Sequence, residues 1–416
     1  MTQKKPILSK LNFFYWKQVK RDKFSKKFSI ARTLKGDVEY FLEGEKGSVI
    51  AAIHGEPGNI FQCGYIFAGL RSPSFRYLSW SRPGYLGTPL SSGKTINDQT
   101  ELLCALLDYL NIDRVVLAGF SFGGLIAMDF AVRFPERVYA LILEGSVAER
   151  IPYGMSFIRR LFNFFAFSDI GNYCSDLFSF FSEKIAIRAF IGHYSKFNSK
   201  QIEYLVEKLQ NDKDLFEIIR NNLIDSLMPF SINKEGFLND AREYSYFQNL
   251  QPKKIKSPTL LIHGREDAEV SLEHGIKLSE AIPFSETLFL DNACHFTLLT
   301  NEKEVMKAKF SFISKHALPV LKSRQYYSEN EKLFFAQIEK IADSDESVLL
   351  VDSLEIYRIG ESYQIELSIE VSSRAESDEI KIVSERLKAK IRNAVPQAVE
   401  ILIETLPSGY FASTIK

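Results

Sequence analysis

Cysteine is scarce in this chain of 416 residues: Cys63, Cys104, Cys174 and Cys294 stand far apart and form no C-x-x-C pair. That spacing argues against a disulfide framework or a thiolate zinc site and fits free thiols in a reducing compartment. Long apolar runs are also missing. None reaches the roughly 18–20 residues needed to span a bilayer, and the N-terminus lacks the apolar core of a signal peptide. The cytoplasm is the expected location. Net charge is absent as well, with 52 basic residues against 52 acidic ones. Nothing in the overall charge therefore calls for nucleic acid as a partner. Internal repeats and low-complexity tracts are lacking too.

What is present is the composition of a soluble globular protein, 45% hydrophobic and 25% charged. The length exceeds one ordinary domain, so one large domain with a smaller appended one is expected. Residues 1–35 carry eleven Lys or Arg against the single acid Asp22, interleaved with Phe13, Phe14, Tyr15 and Trp16. Residues 1–27 thus read as a basic arm. It is either solvated or laid on an anionic membrane surface as a short amphipathic helix.

From about residue 28 strands and helices alternate. Segments 48–55, 76–84, 114–124, 139–146 and 258–264 are short apolar or β-branched runs, each ending at or near glycine. Strands of a largely parallel sheet buried on both faces read this way. Between them, Leu103, Leu106, Leu107 and Leu110 make one helical face, and Ile126 and Phe130 another. The alternation predicts an α/β sheet with right-handed crossovers. Residues 147–250 break the rhythm with helix-like sequence. Nine Phe lie between residues 157 and 190 (157, 162, 164, 165, 167, 178, 180, 181 and 190). An inserted helical lid is expected, with some apolar surface turned to the site. The core then comprises 28–146 and 251–316, followed by a linker over 317–330 centred on the polar stretch Lys322–Glu331. Residues 331–416 read as helix, strand, strand, helix, strand. Tyr363, Ile365, Leu367, Ile369 and Val371 alternate with polar residues in a half-buried strand.

The chemistry centres on Gly119-Phe120-Ser121-Phe122-Gly123, a G-x-S-x-G elbow with a strand before it and a helix after it. A sharp strand-to-helix turn lifts the Ser121 hydroxyl above the sheet edge. Flanking glycines permit the crowded backbone, and the helix N-terminus offers a positive dipole to developing negative charge.

With these residues in place, about residues 28–315 resemble the α/β-hydrolase superfamily. His54-Gly55-Glu56-Pro57-Gly58 looks like its HGxPG oxyanion loop. Ser81-Arg82-Pro83-Gly84-Tyr85 is similar to its DRPGYG loop, with Ser for Asp and Leu86 before Gly87. The resemblance implies an oxyanion hole from the backbone N–H groups of Glu56 and Phe122, and a structural role for His54. The family order, serine then acid then histidine, places the base late in the chain. His295, in Asp291-Asn292-Ala293-Cys294-His295-Phe296, matches the family's histidine loop, with Cys294 where glycine is common. His193, His263, His274 and His316 read as packing or surface residues. The run His263–Val270 is similar to HGxxDxxV and selects Asp267, with Glu266 and Glu269 expected to be exposed. The implied machinery is a Ser121-His295-Asp267 triad acting through an acyl-enzyme, with neither cofactor nor metal.

The segment Leu354–Pro407 resembles the cytoplasmic C-terminal domain of cation diffusion facilitator transporters, a ferredoxin-like α-β-β-α-β module that dimerises. The positions of that family's metal-binding histidines fall on Lys381 and Glu404 here. Pairing into a homodimer is therefore the implied role, without metal. The leading function is hydrolysis of a small-molecule ester or related acyl substrate with an apolar part. One alternative is an aminopeptidase similar to proline iminopeptidases, with Glu203, Glu207 or Glu217 available to grip an amine. The other is a non-catalytic regulatory or scaffold protein on the same fold.

Overall fold

The computed structural model describes residues 12–24, 28–44, 47–68, 70, 75–149, 167–246, 250–317, 329–359, 362–371 and 377–407. The chain forms two compact units, one of Met1–Phe67 and Pro73–Val305, the other of Ala68–Ser72 and Met306–Lys416.

The first unit is built on eight strands: β1 (Ser29–Thr33), β2 (Gly36–Glu43), β3 (Ser48–Ile53), β4 (Phe75–Trp80), β5 (Val115–Phe120), β6 (Val138–Glu144), β7 (Thr259–Gly264) and β8 (Ser285–Leu290). They lie in the order β1-β2-β4-β3-β5-β6-β7-β8. The pairs β1–β2 and β2–β4 are antiparallel and every other pair is parallel. All six residues of β5 are buried, as a central strand covered on both faces requires. The β1–β2 hairpin was not among the strands read from the sequence. In β1 only Ala31 is buried, so no apolar run marks it.

The longer helices of this unit among the described residues are α1 (Phe13–Phe24), α2 (Ile96–Tyr109), α3 (Gly123–Arg133), α4 (Asp169–Phe181), α5 (Glu183–Tyr194), α6 (Ser199–Asn211), α7 (Lys213–Ile219), α8 (Lys234–Tyr246) and α9 (Leu272–Ala281). A capping box between Thr95 and Asp98 starts α2. Its Leu102, Leu103, Leu106 and Leu107 pack with Leu125, Ile126 and Phe130 of α3 in one buried cluster under the sheet. Helices α4 to α8 form an insert between β6 and β7. Of the nine insert phenylalanines, Phe157, Phe162, Phe164 and Phe165 lie outside the described residues. Phe167 packs on Phe230 and Phe237, and Phe190 stacks on Phe296. Phe178 is exposed.

The basic arm forms contacts that the solvated reading did not include. Over its described residues it is α1, docked on the insert. Trp16 is buried and its indole N–H donates to Asp176 at 2.8 Å. Lys17 pairs with Asp169 at 2.5 Å, and Lys20 with Asp176 at 3.1 Å and Asp225 at 3.4 Å. The acids of the insert supply the complement that the arm lacks. Among the described residues no helix is long and apolar enough to cross a membrane.

The helix α10 (Leu298–Ala317), of which the second unit takes the residues from Met306 on, precedes the stretch expected to be a linker, of which residues 318–328 lie outside the described residues. Then follow α11 (Glu329–Asp343), β9 (Val348–Ile359), β10 (Ser362–Val371), α12 (Ser377–Ala394) and β11 (Ala398–Pro407). The sheet order is β11-β10-β9, with β9–β10 antiparallel and β10–β11 parallel. Ile365, Leu367 and Ile369 of β10 form a core with Phe335 and Ile338 of α11 and Val383, Leu387 and Ile391 of α12.

Candidate active site

Ser121 stands between the end of β5 and the start of α3, at φ +52°, in the left-handed region. Its N–H donates to Glu144 O at 2.9 Å, which ties the turn to β6. The surrounding glycines are required by space. A Cβ at Gly123 would lie 2.2 Å from Ile53 O, one at Gly124 2.2 Å from Ser146 Oγ, and one at Gly119 2.8 Å from Gly124 Cα. The turn leaves the Ser121 side chain partly exposed, while Phe120 and Phe122 on either side are buried. Among the described residues, its hydroxyl makes no hydrogen bond.

The loop after β3 comes up against it. A Cβ at Gly55 would sit 3.0 Å from Ser121 Cβ. Arg82 N–H donates into His54 Nε2 at 3.0 Å, which leaves Nδ1 protonated to donate to Gly55 O at 2.9 Å. Burial, and then the neighbouring Arg82 cation, hold the His54 pKa well below the usual value, so this ring stays neutral and structural. The Arg82 guanidinium donates to His54 O and Gly55 O, each at 3.0 Å, and to Gln99 at 3.2 Å. It also pairs with Asp240 of α8, at 2.9 Å through Nη1, and both side chains are fully buried. The Tyr85 hydroxyl donates to the same carboxylate at 2.7 Å. Among the described residues, neither the Glu56 N–H nor its carboxyl makes a hydrogen bond. Burial first, then Asp240, raises the Glu56 pKa well above the ordinary carboxyl value, against the opposing pull of Arg82.

Asp267 and His295 are brought together. His295 Nδ1–H donates to Asp267 Oδ2 at 2.7 Å. The other carboxylate oxygen accepts from the N–H groups of Glu269 and Val270, both at 2.8 Å. Burial lowers the His295 pKa, but the Asp267 charge and its hydrogen bond outweigh this and hold it above the usual imidazole value. The ring lies against Phe120, centroids 4.9 Å apart, and a Cβ at Gly145 would meet its Cε1 at 3.0 Å. Glu266 and Glu269, expected to be exposed, are half-buried. The reason is the insert, whose His193 lies 3.2 Å from Glu269 and whose Lys196 N–H donates to Glu266 O at 2.8 Å.

The other histidines separate from His295 by geometry. His263 Nε2 donates to Val270 O at 2.8 Å and stands 3.6 Å from Asp267, without the short bond His295 makes. His274 Nδ1 accepts from Ala148 N at 3.1 Å. The buried Cys294 thiol is pushed up to about 12 by burial and donates to Phe296 O at 3.6 Å, so it is not a thiolate. In the insert, Glu203 is tied to Lys184 and Arg188, while Glu207 and Glu217 are exposed. Among the described residues, no group of three His, Cys, Asp or Glu could hold a metal ion.

Some site residues carried no sequence signal. Glu144 closes β6 beneath the site and accepts from Tyr65 at 2.8 Å and Thr297 at 2.6 Å. Arg82 was visible as part of a motif, but its partner Asp240 was not.

Residues 49–302 match the family model described as alpha/beta hydrolase fold. The chain belongs to the α/β-hydrolase family. This α/β hydrolase is 25% identical over 270 residues to an uncharacterized hydrolase of Bacillus subtilis, covering 64% of this chain and 91% of the relative. It is 25% identical over 230 residues to the 2-hydroxy-6-oxo-2,4-heptadienoate hydrolase of Pseudomonas putida, covering 51% and 68% of the two chains. Among solved structures, an alpha/beta hydrolase fold protein from Nakamurella multipartita superposes with a TM-score of 0.61 at 25% identity, over 68% of this chain and 98% of that one. Residues 331–408 match a second model, that of the cation efflux protein cytoplasmic domain.

Proposed function

We propose that this α/β hydrolase is a serine hydrolase that cleaves an ester or related acyl substrate with an apolar portion. The observation that carries the reading is the 2.7 Å bond from His295 to the fully buried, fully accepted Asp267, on a ring packed against the residue preceding Ser121. With Nδ1 committed to Asp267, Nε2 is the nitrogen left to take the Ser121 proton. Ser121 Oγ attacks the substrate carbonyl, and the oxyanion forms beside the N–H groups of Glu56 and Phe122, where one donor contributes about 3–4 kcal/mol. His295 then protonates the leaving group. Water, deprotonated by the same nitrogen, releases the acid from the acyl-enzyme. The Ser121 hydroxyl, which makes no hydrogen bond among the described residues, is expected to engage His295 once substrate is bound. Tyr65, Phe120, Phe190, Tyr194 and Phe296 ring this area, which supports an apolar acyl or alcohol group. The insert would act as the lid over it.

An active-site fluorophosphonate should label the wild type and fail to label Ser121→Ala. An unlabelled wild type would overturn the proposal. A panel of p-nitrophenyl esters beside amino-acid arylamides sets the class, and faster turnover of a proline arylamide than of every ester would replace esterase with aminopeptidase.

The C-terminal unit is proposed to pair two copies. Support comes from its family match and from β11, an edge strand that exposes Val399 and Leu402. Val399→Glu with Leu402→Glu in the full chain should halve the mass seen by light scattering. An unchanged mass would remove this role.

A further inference from the structure

We infer that the insert sets the pose of the general base, through a clasp at residues 193–196 in which Tyr194 is the positioning residue for His295. The inference rests on the serine-hydrolase reading of the site. The clasp begins where α5 ends. The Tyr194 carbonyl accepts from His295 N–H at 3.3 Å and from Ala268 N–H at 3.5 Å, so one oxygen joins the histidine loop to the acid loop. Ser195 forms an antiparallel bridge with Asp267 itself. The next residue, Lys196, donates to Glu266 O at 2.8 Å, and His193 pairs with Glu269 at 3.2 Å. Four consecutive insert residues therefore meet four consecutive residues of the acid loop, and one of them also meets the base. The Ser195 hydroxyl donates back to Ile191 O at 2.7 Å and locks the clasp to its helix.

The ring of Tyr194 completes the arrangement. It lies nearly parallel to the His295 imidazole, 17° apart with centroids at 6.3 Å, and edge-on to Phe296 at 4.8 Å. Asp267 fixes one nitrogen of His295 but not the tilt of the ring about that bond. Phe120 limits the tilt from the sheet side and Tyr194 from the insert side. A base must be held to within a fraction of an ångström, and a 1 Å misplacement costs about 100-fold in rate. On this geometry, the placement of the insert and the alignment of His295 with Asp267 are one structural event. Covering the site and arming the base cannot be separated.

The test uses the full chain with Tyr194→Ala and Tyr194→Phe. Tyr194→Ala should lower kcat/KM by about 10–100-fold and move the acidic limb of its pH profile downward, because a loosened His295–Asp267 pair no longer holds the imidazolium. Both variants keep the backbone carbonyl, but Tyr194→Phe alone keeps the ring and should restore both. In parallel, the downfield His295 Nδ1–H proton, read by NMR without turnover, should broaden or vanish in Tyr194→Ala and persist in Tyr194→Phe. An unchanged limb and proton in Tyr194→Ala, whatever the rate, would sink the positioning role of Tyr194. Failure of the wild type to take up fluorophosphonate would sink the hydrolase reading alone, since the proton signal still reports whether Tyr194 positions His295.

Discussion

Arg82 and Asp240 form a fully enclosed ion pair between the loop after β4 and the last helix of the insert. The same guanidinium also holds the His54 and Gly55 carbonyls, so the loop after β3 and the insert share one anchor. Removing one member leaves an uncompensated buried charge. Arg82→Met or Asp240→Leu alone should cost about 3–5 kcal/mol in denaturant unfolding. The double variant should cost less than the sum of the two. A strictly additive double variant would show that the pair is not coupled.

The Asp267–His295 pair predicts a pH dependence of activity. On the proposed mechanism only neutral His295 accepts the Ser121 proton, and its pKa is held above the ordinary histidine value. Ester hydrolysis should therefore rise with pH through an apparent pKa above about 6.5. In Asp267→Asn the raising influence is gone while the burial remains, so the limb should move below that value. The rate should fall on the order of 10⁴-fold. Steady-state kcat/KM between acid and mildly alkaline pH reads both.

Glu56 predicts a pH dependence of stability with a definite sign. Its folded-state pKa is raised above its unfolded value, chiefly by burial. As pH rises past the unfolded value, the unfolded chain loses this proton first and the folded state loses stability. Glu56→Gln removes that penalty. The Tm of the variant minus that of the wild type should be positive at neutral pH and shrink toward zero below about pH 4.5. A constant difference across pH would contradict the assignment.

The docking of α1 predicts salt sensitivity. Its lysines meet Asp169, Asp176 and Asp225 in partly exposed pairs, each worth about 0.2–1 kcal/mol. With Trp80→Phe as background, Trp16 is the remaining tryptophan. Its fluorescence should shift to the red as NaCl is raised from about 0.1 M to about 1 M. Lys17→Gln with Lys20→Gln should show the shifted emission already at low salt.

Much of this was legible in the residues. The parallel strands announce themselves because strands buried on both faces are apolar throughout, as β5 is. Ser121 is readable because Gly119, Gly123 and Gly124 each stand where a Cβ has no room. Other features leave no local trace. Asp240 lies 158 residues from Arg82, and nothing near either residue names the other. The Tyr194 carbonyl is backbone, and backbone carries no residue-type signal. The arm reads as solvated because its complement, three separate aspartates of the insert, is assembled only by folding. Glu266 and Glu269 read as exposed because the insert that half-covers them meets the acid loop only in three dimensions.

The docked α1 also bears on how the chain is made. Its partners lie late: Asp176 is 160 residues beyond Trp16, and Asp225 is 205 beyond Lys20. On a ribosome adding about 5–20 residues per second, this helix waits roughly 10–40 s for its acids. Twelve residues are too few to hold a helix unaided. A segment synthesised well before its partners is thus among the last to find its place, and until then its tryptophan and lysines are open to whatever else the growing chain meets.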